Sequence, residues 1–261
     1  MLRYPDMSTF YHVLSGYYDT LFPEDPEISG FLAGVFDDGA GASPYGSRGP
    51  VIDAACGTGT YTDALVRRGI PCVGFDADPA MVALARSGDR HGLVVPGTLQ
   101  SMRETVRSLT GDKYRNVPPR GIFCIGNSLP HLPNDSAVDR FFRDARMILE
   151  SDGAPLVVQV INFARFLSSR AAALPSIERP DVTMRRRYRP SGTPGKVVFE
   201  AELIPRDRPA VRSETELLAL NTERLERIST DAGFNEPILF GGYDGSPYDR
   251  ETSFVIILVA R

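Results

Sequence analysis

Two rhythms of apolar residues alternate along this chain, and the change from one to the other divides it. From Val51 onward, short solid apolar runs predict strands at 51–54, 72–76, 92–96, 121–126 and 154–160. Between them, apolar positions at helical spacing predict helices at 60–69, 79–86, 99–109 and 136–149. Strands without polar alternation are buried on both faces, so this order predicts a parallel sheet with helices on either side. The alternation stops near Phe163. Segments 182–189, 196–204 and 210–218 then switch between apolar and charged residues, with turns at 191–195 and 205–209. That period of two predicts an antiparallel meander solvated on one face. A helix at 222–232, closed by Gly233, leads to two final strands at 237–242 and 253–260. Upstream, Phe10, Val13, Leu14, Tyr17, Tyr18, Leu21 and Phe22 recur at helical spacing, so 7–36 reads as helix, interrupted at Pro23 and Pro26 and resumed over 28–36. Residues 37–50 form a connector rich in Gly, Ser and Pro.

The turn after the first strand narrows the chemistry. Asp53, Gly57 and Gly59 stand in the order Asp-x-x-x-Gly-x-Gly, and the second strand ends on Asp76. Glycines let a ligand approach the backbone, and a carboxylate one strand away can take a pair of ribose hydroxyls. A dinucleotide fingerprint needs a third glycine three positions after Gly59, where this chain has Thr62. The Lys-Ser/Thr pair of a phosphate-binding loop is missing too. An acid at the end of the first strand repels a pyrophosphate but attracts an ammonium, which fits S-adenosylmethionine. The run from Asp53 to Gly59, with Asp76 behind it, resembles motif I of the class I S-adenosylmethionine-dependent methyltransferases.

That resemblance implies a Rossmann-like, seven-stranded, mostly parallel α/β sheet with an antiparallel C-terminal hairpin, an N-terminal helical lid and a small antiparallel β insertion after strand five. The expected parts are 1–49 as lid and linker, 50–163 with 220–261 as core, and 164–219 as an inserted subdomain over the substrate site. The expected cofactor contacts are Asp53, Ala55, Gly57, Thr58, Gly59, Asp76, Ala77, Met81, Thr98, Leu99, Asn127 and Ser128. For Asp53 a role in capping the turn stays open, and Asp78 before Pro79 is the better candidate for a helix cap.

Composition removes several alternatives. The chain has 261 residues, 42% hydrophobic, with a net charge of −4, enough for a full core and unfavourable to a nucleic-acid partner. Cys56, Cys72 and Cys124 sit beside apolar runs and read as reduced, buried thiols. With only His12, His91 and His131 and no Cys-x-x-Cys pair, no metal site is expected. No signal peptide or apolar run of membrane-spanning length is visible, so a cytoplasmic enzyme with a small-molecule substrate and no membrane partner is the expectation. A homo-oligomer remains open.

A second constellation follows the fourth strand. The stretch Gly126, Asn127, Ser128, His131 and Leu132 resembles the corresponding segment of glycine and sarcosine N-methyltransferases, as does Asn162-Phe163 after strand five. In a doubly wound sheet the carboxyl ends of the strands form the ligand crevice, so Asn127 and His131 are expected nearest the reacting atom. In the resembling enzymes a tyrosine from the lid reaches the cofactor, which points to Tyr18. Two departures stand out. The arginine that holds the substrate carboxylate in the glycine enzymes falls in a neighbourhood that is acidic here, 149–153, and the Asn-Pro-Pro-Tyr type motif of nucleic-acid amino methyltransferases is absent. Arg185, Arg186, Arg187 and Arg189 read as a solvated strand face, with one of them reaching inward to an acidic substrate as the open alternative. His131 is either a proton acceptor, a positioning group or a structural residue.

The expected activity is methyl transfer from S-adenosylmethionine to a small acceptor, an amine nitrogen in the first instance, leaving S-adenosylhomocysteine. A neutral amine needs no strong base, and no acid–base dyad is evident. A small-molecule O-methyltransferase and a non-catalytic cofactor-binding module are the alternatives.

Overall fold

The computed structural model describes residues 7–37, 49–87, 90–110, 117–149, 153–167 and 172–261. Most of the connector at 37–50 and residues 150–152 of the acidic stretch lie outside these. Three helices precede the sheet, α1 (Met7–Ser15), α2 (Tyr18–Leu21) and α3 (Pro26–Phe36). The alternating region follows as β1 (Val51–Ala54), α4 (Thr60–Arg67), β2 (Cys72–Asp76), α5 (Pro79–Ser87), β3 (Leu93–Pro96), α6 (Met102–Thr110), β4 (Gly121–Cys124), α7 (Asp135–Leu149) and β5 (Leu156–Ile161). Next come α8 (Phe163–Leu167), β6 (Ala172–Ala173), β7 (Ile177–Glu178), β8 (Val182–Pro190), β9 (Lys196–Pro205) and β10 (Val211–Leu218). The chain closes with α9 (Thr222–Asp231), β11 (Ile238–Phe240) and β12 (Val255–Ala260).

The main sheet runs β11-β12-β5-β4-β1-β2-β3. Strands β1 to β5 are parallel and the last two antiparallel, as expected from the apolar runs. The chain builds outward from β1 through β2 to β3, then crosses back to place β4 on the other flank of β1. This reversal opens a crevice at the carboxyl ends of β1 and β4. On one face Phe75, Met102, Phe141, Phe142 and Leu225 form the core, and on the other Leu32, Phe36, Leu65, Phe123 and Val157. Every residue of β5 is buried, which explains why its sequence shows no polar alternation. Gly121 leaves room for Phe36, since a Cβ there would lie 2.3 Å from that ring.

The predicted meander is a separate antiparallel sheet, β10-β9-β8-β6, with β7 also paired to β8. Its inner face packs on the N-terminal helices: Phe10, Leu14 and Leu21 bury against Val182, Met184 and Leu203.

Several boundaries differ from the sequence expectation. The N-terminal helix breaks at Gly16 and Tyr17, where the Tyr17 amide turns back to the Leu14 carbonyl. The periodicity runs through the break because both pieces face one surface, so burial was visible and the bend was not. Strand four stops at Cys124 rather than at 126, because Gly126 and Asn127 take φ values of 75° and 63° that no strand accommodates. The segment at 99–109 starts as a 3₁₀ turn, Leu99–Ser101, capped by Thr98. Strand β11 is shorter than 237–242, since the Gly241 amide already turns to the Ser246 carbonyl. Helix α8 and strands β6 and β7 had no sequence signal.

Among the described residues, no helix is long and apolar enough to cross a membrane, and no group of His, Cys, Asp and Glu is arranged to hold a metal ion. Phe123 is fully buried and packs on Phe36 at 5.9 Å between ring centroids. Phe123→Ala is expected to destabilise the chain by about 3–5 kcal/mol in urea denaturation, through lost burial and the cavity left behind. A loss under about 1 kcal/mol contradicts the place assigned to this contact.

Candidate active site

The turn after β1 is left-handed at three of five positions, Ala55, Gly57 and Gly59, with φ of 63°, 57° and 75°. Glycine removes the steric cost at two of them. Gly59 also cannot carry a side chain, because its Cβ would stand 2.9 Å from Val94. The coil turns the Gly57 amide toward β2, where Asp76 Oδ2 accepts its hydrogen at 2.7 Å. Asp76 Oδ1 accepts from the Asp78 amide at 2.9 Å. One carboxylate therefore ties the loops after β1 and β2 together. Asp78 accepts from the Ala80 amide and caps α5.

A cavity of about 760 Å³ opens beside this tie. Of the expected site residues, Ala55, Asp76, Ala77, Thr98, Leu99, Ser128 and His131 line it. Phe75, Pro79, Ala80 and Leu132 make much of its remaining wall apolar. Among the described residues its acids are Asp76 and Asp78, and its basic residues are His12 and His131. A largely apolar cavity with a carboxylate in its wall suits an adenine and its ribose. Each Asp76 oxygen accepts one hydrogen from the chain and keeps capacity for a hydroxyl. A pyrophosphate, by contrast, meets two carboxylates and, among the described lining residues, neither lysine nor arginine. The donor set fits S-adenosylmethionine. Burial raises the pKa of Asp76, partly offset by the backbone amides of Asp78 and Gly57.

The other expected residues lie behind or beside this wall. Asp53 is 3% exposed, and its Oδ2 accepts from the Thr62 hydroxyl at 2.7 Å. Burial pushes its pKa up to about 7, against the hydrogen bond from Thr62. Met81 is buried in α5. Thr58 donates its hydroxyl to Asp19, which also pairs with Arg90 at 2.7 Å. Tyr18 lies over the glycine turn: a Cβ on Gly57 would sit 3.4 Å from its ring and hydroxyl. Burial, followed by the charges of Asp76 and Asp19, raises the Tyr18 pKa, so its phenol stays protonated. Helix α2 thus contacts the turn through two adjacent residues, Tyr18 and Asp19, of which the sequence pointed only to Tyr18.

Across the crevice, Asn127 is held in a left-handed conformation by two strands. Its Oδ1 accepts from the Ile161 amide at 2.9 Å, and its Nδ2 donates to the Tyr188 hydroxyl at 3.4 Å. Gln159 accepts from the Gly126 amide at 2.8 Å and steadies the same loop. Asn162 is turned away, donating to the Arg250 and Ser253 carbonyls, while Phe163 packs on Tyr188. His131 stands in a short 3₁₀ turn, Leu129–His131. Surrounding cleft atoms lower its pKa below the usual histidine value although much of the residue is open to water. Sequence reasoning missed His12, Asp19, Arg90 and Tyr188. None has a local signal, because each meets its partners only through the fold.

Residues 51–153 match the protein family described as "Methyltransferase domain". The chain is 31% identical over 132 residues to glycine N-methyltransferase of Oryctolagus cuniculus, covering 47% of this chain and 44% of that protein. It therefore spans less than half the length of that relative. Among solved structures, it resembles an S-adenosylmethionine-dependent methyltransferase from Clostridium acetobutylicum ATCC 824, with TM-score 0.71, 14% identity and coverage of 97% and 98%. It also resembles the sugar N-methyltransferase KedS8 from Streptoalloteichus sp ATCC 53650, with TM-score 0.65, 18% identity and coverage of 100% and 97%. At these identities the solved structures speak to the fold, which they share along nearly the whole chain.

Asp53 generates a pH prediction. Its folded pKa lies above the ordinary carboxyl value, so the folded chain holds this proton more tightly than the unfolded one. The stabilising effect of the neutral acid is present at low pH and lost as pH rises from about 4 through 7, by at most about 1.4 kcal/mol per pH unit. Asp53→Asn keeps an acceptor for Thr62 and removes the titration. Thermal melts of this variant and the native chain are expected to diverge toward pH 8 in favour of the variant and to converge toward pH 4. Parallel pH profiles contradict the assignment.

Proposed function

We propose, for a chain that belongs to the class I S-adenosylmethionine-dependent methyltransferases through residues 51–153 and uses that cofactor, that it methylates an amine nitrogen of a small molecule. The observation that carries the reading is Asp76. Its carboxylate is held by two backbone amides on the edge of a largely apolar cavity, with acceptor capacity left for ribose hydroxyls. Leu99 and Ala77 are the residues we assign to the adenine faces, and Ser128 to the same compartment.

Bound in this cavity, S-adenosylmethionine supplies a methyl group already activated by its sulfonium charge. The chain's own task is then to bring an acceptor nitrogen into line and to exclude water, for which alignment contributes up to about 7–11 kcal/mol of barrier lowering. Asn127 suits this task because the Ile161 amide fixes its orientation before any ligand arrives. Tyr18, lying on Gly57, closes the turn from the lid side. His131, its pKa lowered by burial, is assigned to positioning the acceptor, since an amine that attacks in its neutral form needs no strong base. The likenesses to a glycine N-methyltransferase and a sugar N-methyltransferase support nitrogen over oxygen. We assign 1–49 and 164–219 to the cover of the acceptor site, in keeping with the core that α1 and α2 share with β8 and β9.

Isothermal titration tests the cofactor site. The native chain is expected to bind both S-adenosylmethionine and S-adenosylhomocysteine, and Asp76→Asn to bind each about 10–100-fold more weakly through loss of charge-assisted bonds. No heat with either compound, or a preference for a phosphate-bearing nucleotide, sinks the proposal. An acceptor screen reading S-adenosylhomocysteine formation separates nitrogen from oxygen. His131→Ala is expected to keep amine methylation within about tenfold, whereas a hydroxyl acceptor that needs a base would lose about 10²–10⁴-fold.

A further inference from the structure

Strand β8 presents its arginines to two different environments. Those at odd positions face outward and are paired: Arg185 with Glu202, Arg187 with Glu200, and Arg189 with Glu200 and Glu214. Arg186 falls on the inner face, in step with the buried Met184 and Tyr188. It is half-buried and forms no ion pair among the described residues. Among the described residues its Nε has no hydrogen-bond partner, and its Nη2 donates to the Pro175 carbonyl at 3.3 Å. Burial pulls its pKa below the usual arginine value.

The neighbours of Arg186 lead to loops on both sides of the crevice, although Arg186 is not among the residues that line the cavity. On one side its guanidinium lies 5.9 Å from the centre of the Phe22 ring. Phe22 packs on Tyr18 at 5.1 Å, and Tyr18 covers Gly57 at the end of β1. On the other side Tyr188, two positions and so about 7 Å along the strand, meets Asn127 beyond β4. Strands β1 and β4 are neighbours at the point where the sheet reverses its order. Arg186 therefore stands between the lid and the Asn127 loop, on the cap side of the gap where β1 and β4 end.

Stability alone would put an apolar residue at this position, as at Val182 and Met184 of the same face. A half-buried cation without a counter-ion is costly, and such a cost is retained where a ligand removes it. The unpartnered Nε belongs to the edge of the guanidinium that matches two oxygens of a carboxylate or phosphate. Arg187 and Arg189 already spend that edge on glutamates, while Arg185 meets Glu202 through its Nη1.

We propose that Arg186 recognises the methyl acceptor, binding an oxyanion, carboxylate or phosphate, on the molecule whose nitrogen is methylated. This rests on the methyltransferase reading of the cavity and adds to it the charge class of the acceptor.

The test uses the full chain saturated with S-adenosylhomocysteine and follows arginine Nε–H signals by nitrogen–proton NMR. The Arg186 signal is identified by its loss in Arg186→Met. Three amine probes differ only in their far group: β-alanine, 2-aminoethyl phosphate and β-alaninamide. At least one anionic probe is expected to move the Arg186 signal and to bind about 10–100-fold more tightly than the amide. Whichever anion does so identifies carboxylate or phosphate as the source. In Arg186→Met the preference disappears, while S-adenosylhomocysteine affinity stays within about twofold and the melting temperature holds or rises. Arg186→Gln repeats the test with a polar side chain should the first variant fold poorly. Equal binding of the three probes, an unmoved Arg186 signal, or a preference that survives both substitutions overturns the proposal and leaves the methyltransferase reading intact. Failure of the native chain to bind S-adenosylhomocysteine overturns both.

Discussion

The bond from the Gly57 amide to the Asp76 carboxylate constrains everything around the cavity. For the amide to reach β2, the chain must coil left-handed immediately after β1, and this requires glycine where Asp76 receives it. The same coil sets the start of α4 and brings the turn under Tyr18. On the other side, Asp76 fixes the loop whose next acid, Asp78, caps α5. Two helices and two strands thus take their relative position from one carboxylate. That carboxylate is half-dry and already hydrogen-bonded, so a ligand meets a formed site rather than organising one.

Around this fixed floor the structure adds walls from distant parts of the chain. Asp19 and Tyr18 reach the glycine turn from the N-terminal side, and Tyr188 reaches Asn127 from the second sheet. The floor is built of parallel strand ends, where backbone geometry decides position. The walls depend on side chains meeting across long separations, where packing decides it.

This division also explains what could be read from the amino-acid order. The parallel sheet was legible because strands such as β5 bury every residue and leave solid apolar runs. The glycine turn and Asp76 were legible because the geometry they serve is local: a tight coil, then a carboxylate at the end of the next strand. Asp19 and Tyr188 were not, since their partners Thr58 and Asn127 lie 39 and 61 residues away. The four arginines of β8 mark the boundary between the two cases. Alternation separates Arg186 from Arg185 and Arg187, but only the packing of the second sheet on α1 and α2 says which face is covered. The break between α1 and α2 escaped for the converse reason, since one surface buries both pieces and the apolar spacing continues across the bend.

The shared core of α1, α2, β8 and β9 has a consequence for how such chains diversify. Phe10, Leu14 and Leu21 are interlocked with Val182, Met184 and Leu203, although most of the catalytic core lies between them in the sequence. Neither the N-terminal helices nor the second sheet can be exchanged alone without leaving an unmatched apolar surface on the other. Sequence change in these elements therefore has to come as paired changes at the two ends of this lock, or by grafting both ends together as a single inherited cassette.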